Sequence, residues 1–154
     1  MAQTGATFAD EIADGEVKTM VGHARRLLAH IQPVAITLGR VLYHPRAIML
    51  DASPREALVP VLSACQDATR VATGRNGELY SEPWAPHITI AYGNSACPAA
   101  PAIEALGRRL PPSAVMVTSV SLVHQTPAQR WMWDLVAHVP LADGLHSVTE
   151  DLSA

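Results

Sequence analysis

The chain has 154 residues and a mass of 16.4 kDa, and its 49% apolar and 16% charged composition predicts one soluble domain with a sizeable core. The net charge of −3 argues against a protein that coats nucleic acid non-specifically, because such a protein needs a basic surface. The sequence has no long apolar run, no basic-then-apolar start and only two cysteines, so we expect a cytoplasmic protein without a membrane partner, a disulfide scaffold or a cysteine metal site.

The first third of the chain predicts a helix followed by two strands. Apolar residues at helical spacing predict a helix from Asp14 to His30, and Pro33 ends it. The run from Val34 to Leu38 predicts a strand. Residues 41–51 predict its neighbour, and this strand is interrupted near Pro45 because proline has no amide hydrogen to donate.

A second helix is expected to begin near Ser53 and to run towards Thr73. Ser53 and Glu56 have the spacing of a capping box, with a proline between them at the first helical position. Pro60 indicates a kink or a later start. Residues 74–77 are rich in glycine and asparagine and predict a loop.

The second half predicts a strand around residue 87, a helix and two further strands. The helix is expected over residues 101–110, and the strands over 115–123 and 131–139, with a long hairpin loop between them. The order αββαβαββ predicts an α+β fold with a largely antiparallel sheet. We expect a single domain over residues 1–142 and a flexible tail over 143–154.

The segment Pro86–Tyr92 holds the most informative pattern. It reads as a strand, and because side chains alternate along a strand, His87 and Thr89 share one face. Ile88 and Ile90 are expected to turn into a core on the other face. Tyr92 also lies on the face opposite His87 if the strand is unbroken, and it is therefore not counted as catalytic.

A His-x-Thr pair suits the handling of a phosphate group. The imidazole can carry a proton near neutral pH, and the threonine hydroxyl can donate a hydrogen bond to a phosphate oxygen. The alternative is that both are ordinary strand residues, with threonine chosen for its β propensity.

This segment resembles the second signature of the two-histidine (2H) phosphoesterases, which include the 2′-5′ RNA ligase-like proteins. The resemblance covers roughly residues 8–141. The other segments that carry it are residues 8–12, 34–45, 84–86, 105–108 and 120–123, and the pair Trp131 and Trp133.

The resemblance implies a bilobal α+β fold with largely antiparallel sheets, in which each lobe contributes one His-x-Thr strand. It implies a metal-independent phosphodiesterase for 2′,3′-cyclic phosphates or 2′-5′ bonds of RNA or nucleotides, with histidines as general acid and base. His87 would be the catalytic residue, and Thr89 would bind the phosphate of a small RNA end or nucleotide. No metal and no cofactor are implied.

The family uses two His-x-Thr signatures, and the resemblance carries over only one of them, at His87 and Thr89. The first signature would fall just before Phe8, and Met1 to Thr4 stand where it would end. We expect that the chain begins after the first strand, a helix and most of that signature. The rival account is a naturally shortened protein with a single catalytic histidine. Either way, the chain as written is expected to be weak or inactive.

Other histidines and arginines are weaker candidates for the site. His124 ends a predicted strand, and Arg130 lies in the following loop, so both are possible accessory residues. His44, in a Tyr-His-Pro turn, is expected to be structural. The arginine pairs at 25–26 and 108–109 could form a locally basic cleft, although a solvated surface is the commoner role.

Two alternatives to an enzyme stay open at this level. A protein with the same fold could bind nucleotides or RNA ends without turnover. A scaffold protein could instead associate with itself through an open sheet edge, since unpaired edges invite pairing with another chain. The sequence does not specify whether ligation or hydrolysis is favoured.

Overall fold

A computed structural model describes residues 12–74, 84–93, 95, 98–125 and 132–142. The α+β fold is confirmed. The predicted hairpin loop, the tail and the segment around Phe8 lie outside the described residues, as do Arg130 and Trp131. No helix in the described part of the chain is long and apolar enough to span a bilayer.

The described residues form three α-helices and six strands in the order αββαβαβββ. The helices are α1 (Asp14–Leu28), α2 (Val59–Thr73) and α3 (Ala100–Leu106). The strands are β1 (Val34–His44), β2 (Ala47–Ser53), β3 (His87–Tyr92), β4 (Arg109–Val117), β5 (Ser119–Gln125) and β6 (Trp133–Pro140).

The chain divides into two compact units, and the first contains residues 35–58 and 84–116. Its sheet has the strand order β3-β2-β1-β4, with β2 antiparallel to both β1 and β3. Among the described strands β3 therefore lies at the edge of this sheet. The predicted self-association through an open edge stays a prediction.

A β-bulge interrupts the pairing of β1 with β2. Leu38 pairs with Ala52 and Val41 with Leu50, so two residues of β1 stand opposite Asp51 alone. One of the two is Gly39, and a Cβ added there would lie 3.3 Å from backbone atoms of the neighbouring strand β4. Glycine allows the two backbones to approach this closely.

The second unit contains α1, α2 and the antiparallel hairpin of β5 and β6. Its core is built from apolar residues on one face of each helix and at the end of the hairpin. The most buried members are Leu28, Val61, Ala64, Val139 and Leu141. The Glu16 carboxylate accepts a hydrogen bond from the Ala13 N–H at 2.8 Å, which favours a helix start at this point.

The structure places several element boundaries differently from the sequence predictions or decides between them. The strand predicted over residues 115–123 is two strands, because the chain passes from one sheet to the other at Thr118, whose carbonyl accepts the Leu141 N–H at 2.8 Å. A 3-10 turn (Arg55–Leu58) precedes α2, so the later start that Pro60 indicated is confirmed. Helix α3 ends at Leu106 rather than at residue 110, because the next residue, Gly107, has a φ of +64° that only glycine adopts readily.

The prediction of a single domain over residues 1–142 stays a prediction. Each of the two units has its own sheet.

Candidate active site

The register of β3 on β2 places His87 and Thr89 on one face of the sheet. His87 pairs with Asp51 and Thr89 with Met49, and residues directly opposite each other on antiparallel strands project to the same side. Both His87 and Thr89 are half-buried. The imidazole and the hydroxyl are therefore neighbours on one face, and neither residue is fully buried.

A hydrogen bond fixes the orientation of the His87 ring. Nδ1 lies 2.7 Å from the carbonyl oxygen of Ala85, two residues earlier in the chain. A carbonyl can only accept, so Nδ1 carries the hydrogen and donates it. In the neutral imidazole this leaves the lone pair on Nε2, which is the form that a general base requires.

The opposite face of β3 is less buried than the sequence predicts. Ile88 pairs with Leu50, on the side that holds the buried residues Leu38, Val41 and Ala52, so the predicted alternation is confirmed there. However, Ile88 and Ile90 keep 43% and 45% of their surface exposed, and the prediction that they enter a core is wrong. Both side chains are exposed because β3 has a neighbour on one side only among the described strands.

The position of Tyr92 also differs from the prediction. Thr89 pairs with Met49 but Ala91 pairs with Ile48, so Ile90 is an extra residue in a bulge. The bulge reverses the alternation beyond it, and Tyr92 pairs with Ala47, which shares a face with Met49 and Asp51. Tyr92 thus returns to the face of His87 and Thr89. A one-residue insertion leaves no signal in the alternation pattern of a single strand.

Asp51 is the acidic residue beside His87 on this face. Its Oδ2 accepts a hydrogen bond from the Ser53 hydroxyl at 2.9 Å. The same hydroxyl was expected to cap the following helix, and in the structure it donates to Asp51 instead, while the α-helix begins later, at Val59. Asp51 is half-buried and pairs with His87 in the ladder of β2 and β3, so its carboxyl group projects to the same face as the imidazole.

The other predicted candidates lie elsewhere. His124 is exposed on β5 in the second unit, and Arg130 is outside the described residues. His44 ends β1, where its Nδ1 accepts the backbone N–H of Arg46 at 3.3 Å across the turn, an arrangement that suits a structural role. Within the described residues no three His, Cys, Asp or Glu side chains are grouped so that they could hold a metal ion.

Comparison with known proteins identifies the family. A family model described as the 2′-5′ RNA ligase superfamily matches residues 4–128, which is most of the chain. The chain belongs to the 2′-5′ RNA ligase superfamily. The recognition of a two-histidine phosphoesterase is thereby confirmed, and His87 and Thr89 lie inside the matched region. A search of curated proteins gave no match.

A solved structure supports the fold of this superfamily member. The crystal structure of TT0787 of Thermus thermophilus superposes with a TM-score of 0.57 at 16% sequence identity. The superposition covers 84% of this chain and 72% of that chain. At this identity the likeness shows the fold alone, which is of the two-histidine phosphoesterase type.

Proposed function

We propose that this chain is a metal-independent phosphodiesterase that acts on 2′,3′-cyclic phosphates or 2′-5′ phosphodiester bonds of RNA or nucleotides. The observation that supports it is the shared face of His87 and Thr89, with the His87 Nε2 lone pair available, inside a superfamily of phosphoesterases and ligases. The ligand would be a small RNA end or nucleotide phosphate. A cytoplasmic location is part of the proposal, since RNA and nucleotides are found there.

The proposed step is attack of water on a 2′,3′-cyclic phosphate. His87 Nε2 takes the proton of the water as its oxygen bonds to phosphorus, and the bond from phosphorus to one ribose oxygen breaks. The Thr89 hydroxyl donates a hydrogen bond to a non-bridging oxygen, where negative charge develops. The departing ribose oxygen takes a proton from solvent, because the resemblance carries over only one of the family's two signatures, at His87 and Thr89.

We therefore expect slow turnover from this chain. Assisted proton transfer to a leaving group is worth roughly 10² to 10⁴ in rate, and that contribution is missing here. It corresponds to a barrier higher by about 3 to 5 kcal/mol.

Tyr92 extends the proposed site from the phosphate to the nucleoside. Its partner Ala47 lies two residues along β2 from Met49, the partner of Thr89, which corresponds to about 7 Å along the strand. Tyr92 is 47% exposed, so one side of its ring can meet a ligand. Aromatic side chains bind bases by stacking, whatever the base.

Long assays with a nucleoside 2′,3′-cyclic phosphate in the presence of EDTA test the proposal. We expect turnover that falls by about 10² to 10⁴ in His87→Ala and by about 10² to 10³ in Thr89→Val. His30→Ala is the matched control, because His30 is exposed in the second unit. Equal turnover in His87→Ala and His30→Ala would contradict the proposal.

A second candidate is a protein that binds nucleotides or RNA ends without turnover. It is favoured because only one of the family's two signatures, at His87 and Thr89, is carried over to this sequence, and binding needs fewer proton-transfer groups than turnover does. Calorimetric titration with a nucleoside 3′-monophosphate distinguishes the two. Affinity without turnover, lost in Thr89→Ala, supports the binding protein, whereas turnover that depends on His87 supports the enzyme.

A further inference from the structure

Three arginines line one cavity in the first unit. The cavity has a volume of about 500 Å³, and Arg40, Arg108 and Arg109 are the charged residues among the described residues that line it. Tyr43 and Ile103 form part of its wall. A concave surface with charges of one sign concentrates the field and attracts counter-ions.

None of these three guanidinium groups is paired with a carboxylate in the described part of the chain. The ion pairs found there are Arg55 with Glu56 and Arg70 with Asp67. All three arginines that line the cavity are exposed, so the N–H groups of their guanidinium groups can reach a ligand. A planar guanidinium matches a phosphate with two parallel hydrogen bonds.

The backbone holds the arginines in place. The Val41 N–H donates to the Arg108 carbonyl at 3.0 Å, which joins the start of β4 to β1 beside Arg40. The Tyr43 hydroxyl donates to the carbonyl of Gly107, the residue that ends α3 and turns the chain into Arg108. The cluster is therefore built on strands and an anchored turn, and less ordering is needed when a ligand binds.

The cavity lies near the proposed site. Gly39 and Arg40 stand opposite Asp51 in the β1 bulge, and Asp51 pairs with His87 on its other side. Arg40 and His87 are thus at the same level of the sheet, two strand spacings or about 10 Å apart. An RNA strand whose terminal phosphate is at His87 has its next phosphates within reach of this cluster.

Charge is distributed unevenly along the chain. Residues 35–58 and 84–116 hold five arginines but only three acidic residues, Asp51, Glu56 and Glu104, a formal charge of +2, whereas the whole chain carries −3. The unit that contains His87 holds five of the eleven basic residues of the sequence and is net positive because it has few acidic residues. This charge distribution fits a local binding site for a polyanion rather than a protein whose whole surface is basic.

We infer that Arg40, Arg108 and Arg109 form a subsite for the backbone phosphates of an RNA strand that flank the phosphate at His87. This inference rests on the proposed function and makes it more specific. The preferred ligand is an oligonucleotide end, because a mononucleotide has no flanking phosphate to place in the cavity.

The test is the salt dependence of binding of a fluorescein-labelled single-stranded RNA hexamer with a 3′-phosphate, measured by anisotropy. Each neutralised phosphate contributes about 0.7 to the slope of log K against log salt for single strands. We expect the magnitude of the slope to fall by at least about 0.7 in R108Q/R109Q, and further when R40Q is added. The adjacent pair R25Q/R26Q, on α1 in the other unit, removes the same charge as R108Q/R109Q and should change the slope less.

Two further arms identify the ligand and separate this inference from the proposed function. A nucleoside 3′-monophosphate should bind R108Q/R109Q as it binds the unmodified chain, and inorganic phosphate should displace the hexamer only weakly. Equal slopes for R108Q/R109Q and R25Q/R26Q, with thermal unfolding unchanged, would overturn the subsite. Loss of the His87 dependence of turnover, with the slope difference intact, would overturn the phosphodiesterase and leave the subsite standing.

Discussion

A single backbone contact determines what His87 can do at the residue scale. The carbonyl of Ala85 accepts the Nδ1 hydrogen, so in the neutral ring Nε2 is the nitrogen left to act as an acceptor. His-x-Thr in the sequence indicates a phosphate site, but it does not say which nitrogen carries the proton. The carbonyl two residues earlier decides this.

Cys65 gives a pH-dependent prediction at the same scale. Burial raises the pKa of its thiol above the ordinary 9.0, because the thiolate loses hydration in α2. In a Cys97→Ser background, we expect iodoacetamide to modify Cys65 more slowly in folded protein than in urea at pH 8.5.

The same shift makes folding stability depend on pH. The Cys65 thiol binds its proton more tightly in the folded state than in the unfolded state. Its contribution to the free energy of unfolding is complete below the unfolded pKa near 9.0, and it is lost as pH rises through the higher folded pKa. Urea unfolding of Cys97→Ser with and without Cys65→Ala isolates this contribution from other groups. If the difference in the free energy of unfolding between these two proteins stays constant from pH 8 to 10.5, the prediction is wrong.

At the scale of elements, two bulges decide which side chains meet. The bulge in β3 returns Tyr92 to the face of His87, and the bulge in β1 places both Gly39 and Arg40 opposite Asp51. Each is a one-residue insertion that changes the face of every residue beyond it. The amino-acid composition of a strand therefore does not reveal where such an insertion lies.

Tyr92→Ala is expected to raise KM for a nucleoside 2′,3′-cyclic phosphate by about tenfold, because loss of one stacking contact costs about 1 to 3 kcal/mol. Tyr92→Phe keeps the ring and should behave as the unmodified chain. Ile88→Ala is the control on the other face of the same strand. If Ile88→Ala and Tyr92→Ala raise KM equally, the role assigned to the Tyr92 ring is incorrect.

Gly39 and Gly22 form a matched pair of glycines for testing the β1 bulge. A Cβ at Gly39 would meet the Leu110 carbonyl oxygen and the Pro112 Cα at 3.3 Å, and these backbone atoms have little room to move. Gly39→Ala should lower the free energy of unfolding by about 1 to 3 kcal/mol.

Gly22→Ala should have the opposite effect on the free energy of unfolding. Gly22 lies within α1 with nothing within 4 Å of its added Cβ, and alanine should raise stability there by about 0.5 to 1 kcal/mol. Chemical denaturation of both variants measures the two effects. Equal changes at the two positions would show that β4 can yield to a side chain at Gly39.

At the scale of the whole molecule, the largest fully buried side chains and the proposed site lie in different units of the chain. The largest fully buried side chains among the described residues are in the second unit, where Leu28 packs among side chains of α2 and the β6 end. His87, Tyr92 and the arginine cavity are in the first unit. The core can therefore be tested separately from the site.

Leu28→Ala should lower the free energy of unfolding by about 2 to 5 kcal/mol, because it removes buried methyl groups and leaves a cavity. Val71→Ala on α2 is the control, since Val71 is 53% exposed and its truncation should change stability by less than about 0.5 kcal/mol. Thermal and urea unfolding measure both. Similar values for the two variants would argue against the core assigned to the second unit.

Local pattern alone determined much of this protein. The helical spacing of apolar residues predicted that α1 begins at Asp14, and the alternation of side chains predicted a strand at His87. The His-x-Thr segment and its neighbours indicated the superfamily, which the family match confirms. These features depend on residues a few positions apart, which is the range over which periodicity and turn chemistry act.

Tertiary structure alone decided the rest. The exposure of Ile88 and Ile90 follows from the place of β3 at the edge of its sheet, and the face of Tyr92 follows from how β2 accommodates an extra residue. Arg40 and the Arg108–Arg109 pair are far apart in the chain and share a cavity because β1 and β4 are neighbours. Strand order and register are set by partners distant in sequence, so no local pattern contains them.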